Sequence, residues 1–291
     1  MTNRKRTVVS VQSHVAYGHV GNASAVFPLQ RLGFEVWPVH TCQLSCRIGY
    51  PDVRGEAFTA EHVGDIVDGL AAAGHLGRAA GLVSGYLGRA EIGGAILRAV
   101  KALHAGDGTG IYLCDPVMGD DDAHGQGRLY AAADIPDFMR AHLVPQADVI
   151  APNRFELHLL TGLPVTTVAE AVTAARAALR LGPRLVVGTS MPLPDRGEIG
   201  CLAVTEEAAW LVRTPRLSPP APIHGTGDAF AALLLGCLLN GESPPQALSH
   251  AMSALYAVID LTLSLGEIEP QLVAAQDLLP TPPHLFVPEA V

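Results

Sequence analysis

The stretch best able to do chemistry is Gly225-Thr226-Gly227-Asp228-Ala229-Phe230, which runs into the apolar segment Ala231 to Leu239. Glycines on either side of Thr226 at a loop-to-helix junction let the backbone approach a ligand, and the first helical N–H groups there have no intrahelical partner. Such a junction cradles an anion. An aspartate at the same helix start competes with a bound anion for those amides, unless its carboxylate takes the proton from a hydroxyl that attacks a phosphoryl group. Asp228 can also be a plain N-terminal cap, and the motif alone leaves both readings open.

A second concentration of charge follows the apolar run Ile111–Cys114, in Asp115-Pro116-Val117-Met118-Gly119-Asp120-Asp121-Asp122. Carboxylates crowded at a strand exit repel one another unless a cation or solvent relieves them, so a divalent metal with phosphates is the functional reading. Asp115, held by Pro116, is the functional candidate, whereas Asp121 and Asp122 read as solvated loop acids. Asn153 and Glu156 have the spacing of a helix cap with its reciprocal acid, which competes with a metal or water role; Thr167 and Glu170 repeat that spacing as a structural cap. His14 and His19 offer ligands or bases, but a histidine satisfying loop carbonyls is the commoner case. Cys42 and Cys46 could share a metal, though two small apolar residues near a strand end account for them better.

Composition narrows the chemistry. A formal charge of −9 disfavours nucleic acid and anionic membranes as partners and favours a small molecule. Five cysteines without a C-x-x-C pair fit reduced thiols in a cytoplasmic protein. The basic start lacks the apolar core of a signal peptide, and the apolar stretch Ala251–Leu265 is short for a membrane span and interrupted by Asp260. Only Lys5, in the N-terminal tail, and Lys101, on an amphipathic helix, are lysines. That excludes a Walker A loop and a protein-kinase strand lysine and argues against Schiff-base catalysis. Phosphate chemistry here must rest on backbone amides, arginine or metal.

The elements that position these residues alternate strand-like and helical runs, the pattern of one large α/β domain. Strands are expected at Thr7–Gln12, Phe34–Thr41, Ala80–Ser84, Ile111–Cys114, Asp148–Ala151 and Arg184–Gly188, and an antiparallel hairpin at Gly200–Thr205 and Ala208–Arg213. Helices are expected from the Gly21-Asn22 turn to Leu32, at Thr59–Ala73 and Arg89–His104, up to Leu181, and at Phe230–Asn240, Pro245–Leu265 and Pro270–Leu279. Gln43 to Gly55 reads as a small flap, Gly119 to Gly127 as a mobile loop, and the segments 1–6 and 280–291 as tails of a single domain spanning 1–291. Ligands of open α/β sheets sit at the carboxyl ends of strands, where Ser13, Asp115 and Thr189-Ser190 fall.

Taken in order, Gln12-Ser13-His14 with Gly18-His19-Val20-Gly21-Asn22, Ser84-Gly85-Tyr86-Leu87-Gly88, Cys114 to Gly119, Ala151-Pro152-Asn153-x-x-Glu156 and Gly225 to Asp228 resemble the pyridoxal kinases of the ribokinase superfamily along nearly the whole chain. The resemblance implies a three-layer sandwich with a mostly parallel sheet, a homodimer, and ATP-dependent phosphorylation of the 5′-hydroxymethyl of pyridoxal, pyridoxine or pyridoxamine with Mg2+ and often a monovalent cation such as K+. It implies Asp228 as general base and the amides of Gly225, Thr226, Gly227 and Asp228 as anion hole. Asp115 and Glu156, with Asn153, would face phosphates and a hydrated metal. Ala151, Thr189, Ser190, Thr226 and Gly227 would lie along the nucleotide, and Ser13, Ile48, Gly49 and Tyr86 around the vitamin.

The flap departs from that pattern. Ser45-Cys46-Arg47-Ile48-Gly49-Tyr50 places Ile48 where the family has a threonine beside the pyridine ring, and Thr189 stands where many bacterial relatives have a lysine near the phosphates. Loss of one hydrogen bond weakens binding by about 1 kcal/mol, or about fivefold. Arg47 could compensate or admit a more anionic substrate. Two further readings follow from the altered flap: a kinase for another heteroaromatic alcohol such as hydroxymethylpyrimidine, and a non-catalytic vitamin-B6 binder, which an intact Asp228 disfavours.

Overall fold

The computed structural model describes residues 6–121, 127–195 and 197–291. Lys5, Asp122 and the middle of the expected Gly119–Gly127 loop lie outside them. In chain order the strands and helices are β1 (Thr7–Val15), α1 (Asn22–Arg31), β2 (Glu35–Leu44), β3 (Gly55–Ala57), α2 (Ala60–Ala72), β4 (Gly81–Ser84), α3 (Gly93–His104), β5 (Ile111–Cys114), β6 (Gly119–Asp121), β7 (Gly127–Leu129) and α4 (Ile135–Phe138). They continue with β8 (Val149–Ile150), α5 (Arg154–Thr161), α6 (Val168–Leu179), β9 (Leu185–Met191), β10 (Glu198–Val204), β11 (Ala209–Pro215), α7 (Thr226–Leu239), α8 (Pro244–Ser264) and β12 (Glu289–Ala290).

One ten-stranded sheet runs in the order β12-β11-β10-β9-β8-β5-β4-β1-β2-β3. The central six strands are parallel, and β10, β11, β12 and β3 add antiparallel edges. Parallel strands buried on both faces read as continuous apolar runs, as β1, β4 and β5 do. Their side chains still alternate. Val9, Val11, Leu82, Tyr112 and Ile150 join the core under α2, α3, α5 and α6, while Val8, Val83, Leu113 and Val149 join the core under α1, α7 and α8. This is a ribokinase-like sandwich of helices, sheet and helices.

The structure moves some boundaries. β1 continues through Val15, past a bulge between Gln12 and His14, because β2 pairs with it as far as Leu44, and Ser13 therefore sits on a strand. The segment expected to be a helix at Pro270–Leu279 is a series of turns that still buries Leu272, Ala275 and Leu279. The Gln271 N–H donates to the Thr262 hydroxyl at 3.0 Å, so a side chain takes up a donor at the start of the segment. α8, at 21 residues, is the described helix long and apolar enough to cross a membrane by length and composition. Half of its most apolar window is buried, and here it packs on α7, β10 and β11 as a core helix.

Candidate active site

The carboxyl ends of β5, β8 and β9 and the start of α7 open onto one cavity of about 360 Å³. It brings together Asp115, Ala151, Asn153, Glu156, Thr189, Ser190, Gly225, Thr226, Gly227 and Asp228, residues from separate elements that the sequence motifs single out. Each parallel strand delivers its polar exit residue to the same end of the sheet, so motifs distant in the chain become neighbours.

Gly225 is the left-handed residue before α7, with φ 78°, and a Cβ there would overlap the His19 carbonyl. Only glycine lets the α7 start close on the His19 loop. The Ser24 hydroxyl of α1 donates to the Gly225 carbonyl at 2.7 Å and ties the two helix starts together. The Asp228 carboxylate accepts from the Gly21 N–H and from its own, but burial outweighs both bonds and lifts its pKa from 3.8 to about 6. Gly21, at φ 56°, lies so close to Ser13 that a Cβ would collide with the serine carbonyl and hydroxyl. Ser13, Gly21 and Asp228 thus form one continuous contact, which the separate sequence motifs do not reveal.

Asp115 and Glu156 are buried, and burial raises both carboxyl pKa values; the negative charges of Glu156 and Asp228 add to the effect on Asp115, and that of Asp120 to the effect on Glu156. Backbone donors oppose the shift at Glu156: Met118 N–H at 2.8 Å and Asn153 N–H at 2.9 Å hold its two oxygens. Glu156 thereby fastens the loop after β5 to the start of α5. Asn153 caps α5 through a reciprocal box with Glu156 and donates from its amide to the Gly119 carbonyl at 2.8 Å. Asp120 joins the cavity lining, where burial raises its pKa as well. Against these acids the lining holds, among the described residues, one guanidinium, Arg216. Asp121 departs from the solvated reading: its side chain is 17% exposed and pairs with Arg154 at 2.5 Å. Arg154, the first residue of α5, reaches the β6 hairpin and takes that carboxylate out of solvent.

Ser190 has φ 57°, a left-handed backbone rare for a non-glycine residue, and it faces the cavity where β9 ends. The opposite wall is apolar, built by Ile199, Leu217, Ile223, Met252, Leu255 and Ile259. Sequence reading missed it, although the Pro-rich 215–222 passage and the unusually apolar α8 carried the signal.

Ser13, Ile48, Gly49 and Tyr86 do not line this cavity. Thr41 donates to the Tyr86 carbonyl at 2.7 Å, and Ile48 is 64% exposed at the tip of the flap. Arg47 does not offer a free charge. Its guanidinium meets the buried Glu269 carboxylate at 3.3 Å and lies over the Tyr50 ring at 4.5 Å. The Tyr50 hydroxyl donates to the same carboxylate oxygen at 2.7 Å, and the His19 N–H donates to the other at 3.2 Å. The flap, the loop before α1 and the turn after α8 therefore close on one carboxylate. The His14 ring stacks on His40 at 4.4 Å, and burial lowers the pKa of both and of His19, favouring neutral imidazoles. Cys42 and Cys46 belong to no three-donor metal cluster among the described residues.

The family model for phosphomethylpyrimidine kinase matches residues 83–272. The pyridoxal kinase PdxY of Deinococcus radiodurans is 47% identical over 98% of this chain and 97% of that protein. The Rubrobacter xylanophilus enzyme of the same name is also 47% identical, over 96% and 95%. Among solved structures, pyridoxal kinase from Leishmania donovani in complex with ADP and pyridoxamine superposes with a TM-score of 0.90 at 29% identity, covering 99% of this chain and all of that one. A chain with this sequence identity, this sheet order and this cluster of strand-exit residues belongs to the pyridoxal kinase family.

Proposed function

We propose that the protein transfers the γ-phosphoryl group of ATP to the 5′-hydroxymethyl group of pyridoxal and related B6 vitamers. The observation that carries this reading is the half-buried Asp228 carboxylate, poised at a pKa of about 6 on the amide cradle of α7 and opening onto the cavity that holds Asp115 and Glu156. Asp228 accepts the proton of the attacking hydroxyl. The hydroxyl oxygen bonds to the γ-phosphorus, the bond from that phosphorus to the β–γ bridging oxygen breaks, and ADP leaves. The amides of Gly225, Thr226 and Gly227 stabilise the charge that develops on the transferred group. Relatives solved with ADP and pyridoxamine support this assignment of substrates.

The residues present also fit Mg2+. Two buried carboxylates with raised pKa values, Asp115 and Glu156, face a cavity in which Arg216 is the only guanidinium among the described residues, an imbalance that a divalent cation relieves. Asp115 and Glu156, with Asn153 through water, would hold it, and it would supply charge neutralisation to the phosphates. Thr189, Ser190 and Ala151 then flank the nucleotide, whose base the apolar wall of α8 and β10 accommodates. Ser13, Tyr86 and the flap residues Ile48 and Gly49 flank the vitamer. On the family resemblance we also propose a cytoplasmic homodimer, whose mass sedimentation velocity reads directly.

The test is ADP release on mixing protein, ATP, Mg2+ and each acceptor. Turnover with pyridoxal at a kcat/KM at least tenfold above that with hydroxymethylpyrimidine is the expected result. A preference for the pyrimidine, or vitamer binding without turnover, would overturn it.

A further inference from the structure

Away from the cavity, the hairpin joining α7 to α8 gathers three different donor groups. Cys237 lies in the last turns of α7, Glu242 in the connecting turn and His250 on α8, and their donor atoms all lie within 4.8 Å of one another. The turn that presents them is tightly built. The Glu242 N–H closes on the Cys237 carbonyl at 3.2 Å, and Gly241 adopts φ 92° between the helices.

The imidazole is held in a defined way. Its Nε2 lies 3.0 Å from the Leu279 carbonyl, an oxygen that can only accept, so Nε2 carries a proton and donates. In the neutral ring Nδ1 then presents a lone pair, and it points at the Glu242 carboxylate oxygen 3.3 Å away. Two acceptors facing each other at that distance repel unless a proton or a metal cation sits with them. A ring N–H donated to a backbone carbonyl is also the usual support for a metal-bound histidine. The third donor, the Cys237 thiol, is buried and hydrogen-bonded to the same carboxylate, and burial, that negative charge and that bond make it a poor acid in the absence of a cation.

We propose that Cys237, Glu242 and His250 form a binding site for a single divalent metal ion of the zinc class, distinct from the phosphate site. Thiolate, imidazole and carboxylate are donors that Zn2+ takes in tetrahedral geometry, with ligand atoms about 3.3–3.8 Å apart, and the imidazole and carboxylate atoms already stand at 3.3 Å. The side chains of Glu242 and His250 are 29% and 17% exposed, which leaves a route in and room for water as the fourth ligand. Binding displaces the thiol proton. The ion would pin α7, which carries Asp228, to α8, which lines the cavity through Met252, Leu255 and Ile259. It would therefore act as a structural clip rather than in the reaction.

The experiment uses the full chain treated with EDTA and dialysed, then titrated with Zn2+ by calorimetry and with Co2+ by absorption. One equivalent of Zn2+ per chain, a thiolate-to-cobalt charge-transfer band, and a melting temperature raised by about 4–5 °C at a hundredfold excess over Kd are expected. His250→Gln keeps a donor for the Leu279 carbonyl but lacks Nδ1, and Cys237→Ser keeps the packing but lacks the thiolate. Both should fold, by circular dichroism, and bind at least tenfold more weakly, and the serine variant should show no charge-transfer band. If the wild type binds no stoichiometric metal, the constellation is only a histidine–carboxylate contact and the proposal fails. It fails equally if both folded variants bind as the wild type does.

Discussion

Replacing Asp228 with asparagine separates a general base from a mere acceptor for the Gly21 N–H, because the N-cap of α7 is Gly225 and an asparagine amide oxygen still accepts that bond but takes up no proton. The carboxyl pKa is about 6 in the folded protein against 3.8 unperturbed, a difference worth at most about 3 kcal/mol at 1.36 kcal/mol per pKa unit. Below pH 3.8 the group is protonated in both folded and unfolded chains and costs nothing. Between 3.8 and about 6 the unfolded chain ionises first, and above that the folded protein carries the full penalty. Because Asp228 is open to the cavity on one side, solvent reduces the penalty to about 1–2 kcal/mol. Asp228→Asn should therefore raise the melting temperature by about 2–3 °C at pH 8 and leave it unchanged near pH 3.5.

Activity should move the other way. A lost general base costs about 100- to 10,000-fold, so kcat/KM for pyridoxal falls at least 100-fold at pH 8 in the coupled ADP assay. Wild-type kcat/KM should rise about tenfold per pH unit up to the Asp228 pKa of about 6 and then level off, and the residual rate of the variant should lack that limb. A variant that retains more than a tenth of wild-type kcat/KM, or one destabilised equally at both pH values, would refute the assignment and leave Asp228 an acceptor that only ties the Gly21 loop to α7.

Gly225→Ala places a Cβ against the His19 carbonyl at φ 78° and should cost on the order of 3 kcal/mol, read as a lowered urea midpoint together with lost turnover. Glu269→Gln removes the charge that Arg47 and Tyr50 share, about 1.5 kcal/mol, so KM for pyridoxal should rise about tenfold while KM for ATP stays within twofold. An equal rise in both constants would place the clasp elsewhere in the cycle. Ile48→Thr supplies a hydroxyl at the flap tip and should lower KM for pyridoxal about fivefold; an unchanged KM would mean that position 48 does not touch the vitamer. Asn153→Ala loses the α5 cap and the bond to the Gly119 carbonyl, about 2 kcal/mol in all, and calorimetry should show melting about 3 °C lower with a raised KM for ATP.

Local patterns made the sheet legible. A short, apolar run such as Ile111–Cys114, bounded by the Gly106–Gly110 turn and by Asp115-Pro116, reads as a strand buried on both faces, and the exit of each such strand marks a place on the rim of the site. Asn153 with Glu156, and Thr167 with Glu170, are readable for the same reason: a cap is written within four residues. What sequence could not show is pairing at long range. Glu269 takes its partners from Arg47 and Tyr50, more than 200 residues earlier, and no local rule connects a flap to the turn after the last long helix. Local sequence leaves Asp121 a solvated acid because its partner, Arg154, lies 33 residues on, across a loop whose path depends on the fold. The same limit governs the vitamer end of the site. Asp228 is positioned by Gly21, and Gly21 by Ser13, so a base recognised from its own helix start is oriented by a strand at the other end of the chain. A change in the loop before α1 should thus alter the pKa of Asp228 without touching the Gly225–Asp228 motif, since the hydrogen bond from the Gly21 N–H does most to hold that pKa down against burial.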